Sequence, residues 1–232
     1  TAKDANNSTV TDYAGTITVD TNGTATAISW AKKTGNGSFT DGGSGSDTAT
    51  YTFVSSDNGQ CVLTVTDTKT ETINISVSGG GKSDDDTEGN LIINPGAIDH
   101  FIITHDGSAT AGVADNVTIT AYDTYSNTKT DYTGTITVDT NGTATAISWA
   151  LVTGGGTFTD GGASVDTATY AYASGDNGAV TLSISDTKTE SIDIDVSGDS
   201  KTDDDSEGNL VVSPASLDHF VVTHDGSATA GV

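Results

Sequence analysis

The chain has no arginine and no methionine, and its eight lysines face 32 acidic residues, for a formal charge of −24 over 232 residues. With no basic stripe to neutralise phosphate, nucleic acid is excluded as a partner. No apolar run is long enough to span a bilayer, and no signal-peptide pattern is present. The single cysteine, Cys61, is matched by Val180 in a later copy of the same sequence, so no disulfide belongs to the design. A small buried hydrophobe is the expected role for that side chain. The G-x-S-x-G, H-E-x-x-H and Cys–His patterns of common hydrolases are missing, and carboxylates in so acidic a chain do not single out a catalytic pair. No enzyme activity is expected.

What the chain does contain is itself, twice. DYAGTITVDTNGTATAISWA begins at Asp12 and DYTGTITVDTNGTATAISWA at Asp131, an offset of 119 positions. The same offset relates SDDDTEGNL at Ser83 to TDDDSEGNL at Thr202, and HDGSATAGV at His105 to an identical phrase at His224. A unit of this length is a domain rather than one turn of a solenoid. The chain equals two such units less six residues, those matching Ala114–Ile119.

The only two prolines, Pro95 and Pro214, occupy equivalent positions. Proline cannot donate to a sheet ladder, so each marks a junction between strands. The predicted organisation is therefore a repeat lacking its first strands (1–95), a complete repeat (96–214) and a leading segment of a further repeat (215–232).

Low hydrophobicity with high charge can signal disorder. Here VTITAYD, GTITVDT, DTATYTF, VLTVTD and ETINISV place apolar residues at every second position. Turn chemistry such as TNGT, DGG and SDNG separates them. That pattern predicts an all-β fold of antiparallel sandwiches, with threonine on the wet face. The predicted core of the complete repeat is Val117, Ile119, Ile136, Val138, Trp149, Tyr170, Leu182, Ile192, Ile194 and Val196. The tryptophan sits without the cysteine pair that accompanies it in antibody domains.

The combined phrase of LDHFVVTHDGSATAGV (217–232) and VTITAYDTYSNTKTDYTGTITVDT (117–140), equivalent stretches of the two copies read together, resembles tandem bacterial and archaeal immunoglobulin-like repeats of large surface proteins. The carrying features are the AG turn, the A-x-D-x-x-x-N segment, Y-x-G-T-[IV]-T and the D-N-G turn after an aromatic strand. The resemblance covers the whole repeat and implies invasin-type adhesin stalks or extracellular fibres, located outside the cell or on its surface. It implies no enzyme. The acidic SDDDTEG insertion is a departure from that pattern.

That insertion carries the strongest chemical signal. Asp84, Asp86 and Glu88 with Gly89, and again Asp203, Asp205 and Glu207 with Gly208, fit the opening of a calcium loop. Oxygen ligands at alternating positions converge on a hard cation while the glycine permits the sharp turn. The acid expected at the twelfth position is replaced by Pro95 or Pro214, and a solvated acidic turn is the competing reading. Asp123 and Asn127 suit a turn cap, with oxygen ligation at a domain junction as the alternative. The pairs His100/His105 and His219/His224 are five residues apart, which on a strand points them to opposite faces, so surface roles are expected. Sequons such as NGT and NVT are compatible with glycosylation.

Three function classes are distinguished. In the first, residues 215–232 complete a neighbouring copy by strand addition, Leu217, Phe220, Val221 and Val222 forming the self-assembly strand, and a head-to-tail filament results. In a variant, the same segment continues covalently into the next domain of a long array. The second class is an adhesin module binding a glycan or cell-surface partner, with or without calcium. Its most variable loop tip has Lys32 and Lys33 in one repeat and Leu151 and Val152 in the other. An enzyme or accessory domain is the residual third.

Overall fold

A computed structural model describes residues 1–231 of the chain. Among the described residues every regular element is a strand apart from two single-turn 3-10 helices. The first nine strands are β1 (Thr16–Thr21), β2 (Ile28–Thr34), β3 (Ser38–Asp41), β4 (Ala49–Thr52), β5 (Val62–Asp67), β6 (Thr72–Ile73), β7 (Ile75–Gly79), β8 (Lys82–Ser83) and β9 (Leu91–Ile92). Next come β10 (Ile98–Thr104), β11 (Ser108–Thr110) and β12 (Asp115–Asp123). The last nine repeat the first: β13 (Thr135–Thr140), β14 (Ile147–Thr153), β15 (Thr157–Asp160), β16 (Ala168–Ala171), β17 (Ala179–Asp186), β18 (Ser191–Ile192), β19 (Ile194–Gly198), β20 (Lys201–Thr202) and β21 (Leu210–Ser213).

The chain divides into two compact all-β units. One comprises Thr1–Asp99 with Tyr122–Lys129; the other comprises His100–Ala121 with the chain from Thr130 onward. The segment 122–129, which by sequence belongs to the second repeat, thus packs with the first. Each unit is an antiparallel sandwich of immunoglobulin-like type, built on a five-stranded sheet: β3-β4-β1-β7-β8 in the first and β15-β16-β13-β19-β20 in the second. Among the described residues no helix is long and apolar enough to cross a membrane.

The units differ in the opposing sheet. In the second unit it has four strands, β10-β12-β17-β14; in the first it has only β2-β5. β12 closes the second unit by pairing with β17, Val117 opposite Leu182 and Ile119 opposite Val180. A further sheet, β11-β21-β18, uses the parallel pair β11–β21, whereas β9 in the first unit pairs with β6 alone.

Burial follows from this difference. All ten predicted core residues of the second repeat are buried. Period-2 alternation is clean along β12 and β17, where every second side chain is inside. In the first unit Val19, Trp30, Tyr51 and Ile73 are buried, but Ile17, Leu63, Ile75 and Val77 are only half-buried. They lack the strands that would cover them. Cys61 shows the same effect and departs from expectation: it is free and half-buried, whereas Val180, paired with Ile119 on β12, is buried.

Edge-to-face aromatic contacts run through each core. In the second unit Phe101, Tyr132, Tyr172 and Tyr170 form a chain with centroid separations of 5.6, 5.1 and 5.1 Å. In the first, Tyr13, Phe53 and Tyr51 form the corresponding chain at 5.3 and 4.9 Å. It stops at Tyr13, because no counterpart of Phe101 is present there. Each such contact contributes about 0.5–1.5 kcal/mol beyond area burial.

Candidate interaction and cation sites

Each repeat contains a tyrosine–aspartate corner that fixes the D-N-G turn. The Tyr170 hydroxyl donates to Asp176 Oδ2 (2.8 Å) and accepts from the Gly156 N–H (2.8 Å). Asp176 also accepts from the backbone N–H groups of Ala173 and Gly155. Tyr51, Asp57, Gly37, Val54 and Asn36 repeat the arrangement. Burial raises the Asp57 and Asp176 carboxyls, but these donors outweigh it and hold both below the ordinary range. Asn58 and Asn177 adopt the left-handed conformation that closes the turn. Trp30 and Trp149 are anchored by donation to the carbonyls of Asp47 and Asp166 (2.8 and 2.7 Å).

The acidic insertion forms a tight turn in both repeats, with Asp86 and Gly89, and Asp205 and Gly208, in the left-handed region. In the first repeat Asp84, Asp86 and Glu88 each present a ligand atom within 4.8 Å of the others. Asp84 Oδ1 accepts from the Val77 N–H (3.1 Å), and its Oδ2 is buried without a partner. In the second repeat the corresponding group is Asp195, Asp203 and Asp205. Glu207 is not in it, although both its carboxylate oxygens are buried without partners nearby in charge to Asp203 and Asp205. Burial first, then the facing carboxylates of Asp193, Asp203 and Asp205, raise Asp195. Burial and the same neighbours raise Glu207.

Asp195 lies on β19, outside the insertion, and sheet pairing alone brings it alongside. Its signal in the sequence was an acid where the first repeat has Ser76. Both groups can hold a metal ion.

Residues 215–231 form no regular strand and are exposed throughout. Within them Leu217, Phe220, Val221 and Val222 are 72, 84, 76 and 85 % exposed. Their counterparts in β10 are Ile98, Phe101, Ile102 and Ile103, of which Phe101 and Ile103 are buried at 0 and 2 %. His219 pairs with Asp218 at 2.9 Å on the surface, while His105 is half-buried and contacts the Gly208 carbonyl (3.1 Å).

Asp123 and Asn127 do more than cap a turn. Asp123 is buried and accepts from the Tyr125 and Asn127 N–H groups (both 2.9 Å) and from Gly96 N–H (2.8 Å). Burial raises its carboxyl, but Asn127, Gly96 and Tyr125 together lower it below the ordinary range. Within the first unit, the Asn127 side-chain amide donates to the Thr68 carbonyl (2.9 Å) and accepts from the Thr70 N–H (3.1 Å). The sequence pattern offered no hint of that second partner.

No protein family and no curated protein matches the chain. Among solved structures it is similar to FdeC, an Escherichia coli adhesin, with 16 % identity over 94 % of this chain and 58 % of that one, at a TM-score of 0.49. It is similar to InvD of Yersinia pseudotuberculosis, with 21 % identity, 97 % and 54 % coverage, and a TM-score of 0.38. It is also similar to domains 4 and 5 of the S-layer protein SbsC, with 17 % identity, 66 % and 69 % coverage, and a TM-score of 0.32. The chain spans less than two thirds of the FdeC and InvD structures.

Proposed function

We propose that this chain is a structural segment of an extracellular filament or cell-surface stalk, built from immunoglobulin-like repeats joined head to tail and without catalytic activity. One observation carries the reading. Leu217, Phe220, Val221 and Val222 are exposed, although Phe101 and Ile103, the counterparts of Phe220 and Val222, are buried in a core. Covering Phe220 and Val222 as those counterparts are covered would contribute roughly 1.5–3 kcal/mol each. A further repeat is the surface built to cover them.

Strand pairing defines the place that the segment would take in either form of this reading. In the complete unit the strand beside β17 is β12, and β10 lies outside it. The segment 215–231 carries the counterparts of β10 and β11 but none of Ala114–Ile119. Strand exchange with another copy and covalent continuation into a further repeat are the two ways in which that segment would be covered.

The test is to append a copy of residues 114–213 behind residue 232. The extended chain should sediment as a longer monomer and lose the apolar-dye binding that the exposed segment gives the parent. Persisting exposure of Leu217–Val222 in the extended chain refutes the reading. Polymerisation of the unextended chain, abolished by Phe220→Asp, would select strand exchange instead.

Calcium is the cation that the all-oxygen groups of the insertion suit best, because hard carboxylates at flexible spacing match its coordination. Asp84, Asp86 and Glu88, and Asp203, Asp205 and Asp195, are the proposed ligands, with Glu207 adjoining. An adhesive role toward a glycan or cell-surface partner is the alternative, and it rests on the loop where exposed Leu151 and Val152 replace Lys32 and Lys33. Binding of the intact chain to a glycan array, lost on exchanging these pairs, would establish it.

A further inference from the structure

In the first unit the turn Asp67–Thr70 is occupied. The side-chain amide of Asn127 reads it at two points, donating to the Thr68 carbonyl and accepting from the Thr70 N–H, with the Thr70 hydroxyl at 3.5 Å. Asp123 holds that amide in place through 3.0 and 3.2 Å contacts to Nδ2 and anchors the chain behind Pro95 through Gly96 N–H. The pattern is a two-point match that only a carboxamide meets. An aspartate would aim a second acceptor at the Thr68 carbonyl, and a serine is too short to reach both groups.

The second repeat carries the same turn, SDTKTE at 185–190 against TDTKTE at 66–71. It is built the same way. Asp186 accepts from the Lys188 N–H (2.7 Å) as Asp67 does from Lys69 (2.8 Å). The Lys188 ammonium reaches Thr143 Oγ1 (2.6 Å) as Lys69 reaches Thr24 (2.8 Å). The Thr187 N–H bonds to the Ala146 carbonyl as Thr68 bonds to Ala27, both at 3.1 Å. The difference is the occupant. Thr187 and Thr189 are exposed where Thr68 and Thr70 are half-buried, and Ala215, the counterpart of Gly96, is exposed. Among the described residues nothing bonds the Thr187 carbonyl or the Thr189 N–H.

We propose that the turn Thr187–Thr189, with the Ala215 N–H, is a docking site for the Asp-x-x-x-Asn turn of a further repeat of this same type. Asparagine at the fourth position after the aspartate is the specificity determinant. The chain contains its own contrast. Asp4 stands where Asp123 does, but Ser8 stands in place of Asn127, and Asp4 merely caps its own loop through Asn6 and Ser8 N–H. The inference rests on the tandem reading proposed above and adds which side chains join one repeat to the next.

The extended chain, with residues 114–213 appended behind residue 232, tests it by residue-resolved amide hydrogen exchange. The Thr189 amide should become at least tenfold more protected than in the 232-residue chain and approach Thr70. Asn→Ser at the appended copy of Asn127 should return Thr189 to its parent rate while Leu217–Val222 stay protected. Within the parent chain, Asn127→Ser and Asn127→Asp should each speed exchange at Thr70. If Leu217–Val222 become protected but Thr189 does not, the docking site is overturned and the tandem reading stands. If neither becomes protected, both fall.

Discussion

Replacing Asp123 with alanine should destabilise the first unit several times more than the same change at Asp4, its counterpart 119 positions earlier. Asp123 is 1 % exposed and accepts from three backbone N–H groups and one side-chain amide. Hydrogen bonds to a charged acceptor contribute about 1.5–3 kcal/mol each, and a buried donor left alone costs about 1–3 kcal/mol. These terms are not additive within one carboxylate, and the turn can admit water, so the expected loss is about 3–4 kcal/mol. Asp4 is exposed and accepts from two turn N–H groups that water can satisfy. Its loss should stay below about 1 kcal/mol. Both residues belong to the same compact unit, which contains Trp30, and Trp149→Phe leaves that tryptophan as the only fluorescent reporter of its kind. In urea, with a slope of about 2 kcal/mol/M, the midpoint should fall by about 1.5–2 M for Asp123→Ala and by under about 0.5 M for Asp4→Ala. Equal shifts would refute the assignment of Asp123 as a buried anchor.

Tyr170→Phe and Tyr51→Phe should each cost about 1–3 kcal/mol by leaving a glycine N–H unmatched and removing one of the two donors to the aspartate Oδ2, measured by the same unfolding curves. Gly156→Ala should cost about 3 kcal/mol or more, because a Cβ there meets the Ala171 carbonyl and the Tyr170 ring. Gly162→Ala faces open space and should cost only the about 1–2 kcal/mol of its left-handed backbone. Stability against pH should pass through a maximum on the acid side of neutrality. Asp186, Asp195 and Glu207 are raised, so the penalty of ionising them is relieved as pH falls through their folded values toward ordinary carboxylate values near 4. Asp57, Asp123 and Asp176 are lowered, so their contribution is complete above about pH 4 and is lost as pH falls through their folded values. A thermal-melt series in pH checks both limbs; monotonic loss of stability from pH 7 downward would contradict the first. Calcium should raise the melting temperature, and Asp203→Asn with Asp205→Asn should remove part of that rise; no shift at millimolar calcium contradicts the ligand assignment.

The strands were legible because their information is local. Alternation in VTITAYD or GTITVDT sets which face is apolar, and the D-N-G and T-N-G turns set where each strand stops. The core was legible for the same reason, Val117 to Val196 falling at inward parity. Glu207 and Asp195 show where this ends. Spacing along the insertion groups Asp203 with Glu207, whereas pairing between β19 and β20 brings Asp195 to Asp203. Periodicity describes one strand at a time and says nothing about which strand will lie beside it.

The sequence by itself determined an acidic, all-β, duplicated chain, since composition, parity and the offset of 119 need no third dimension. Tertiary structure alone decided what each duplicate does. Leu63 and Leu182, or Cys61 and Val180, occupy the same place in the repeat, but only the second of each pair has β12 paired alongside it. Thr70 and Thr189 share their neighbours in sequence, but only Thr70 meets an asparagine 57 residues away. Burial and hydrogen bonding depend on what the rest of the chain places overhead, and identical phrases therefore acquire different roles.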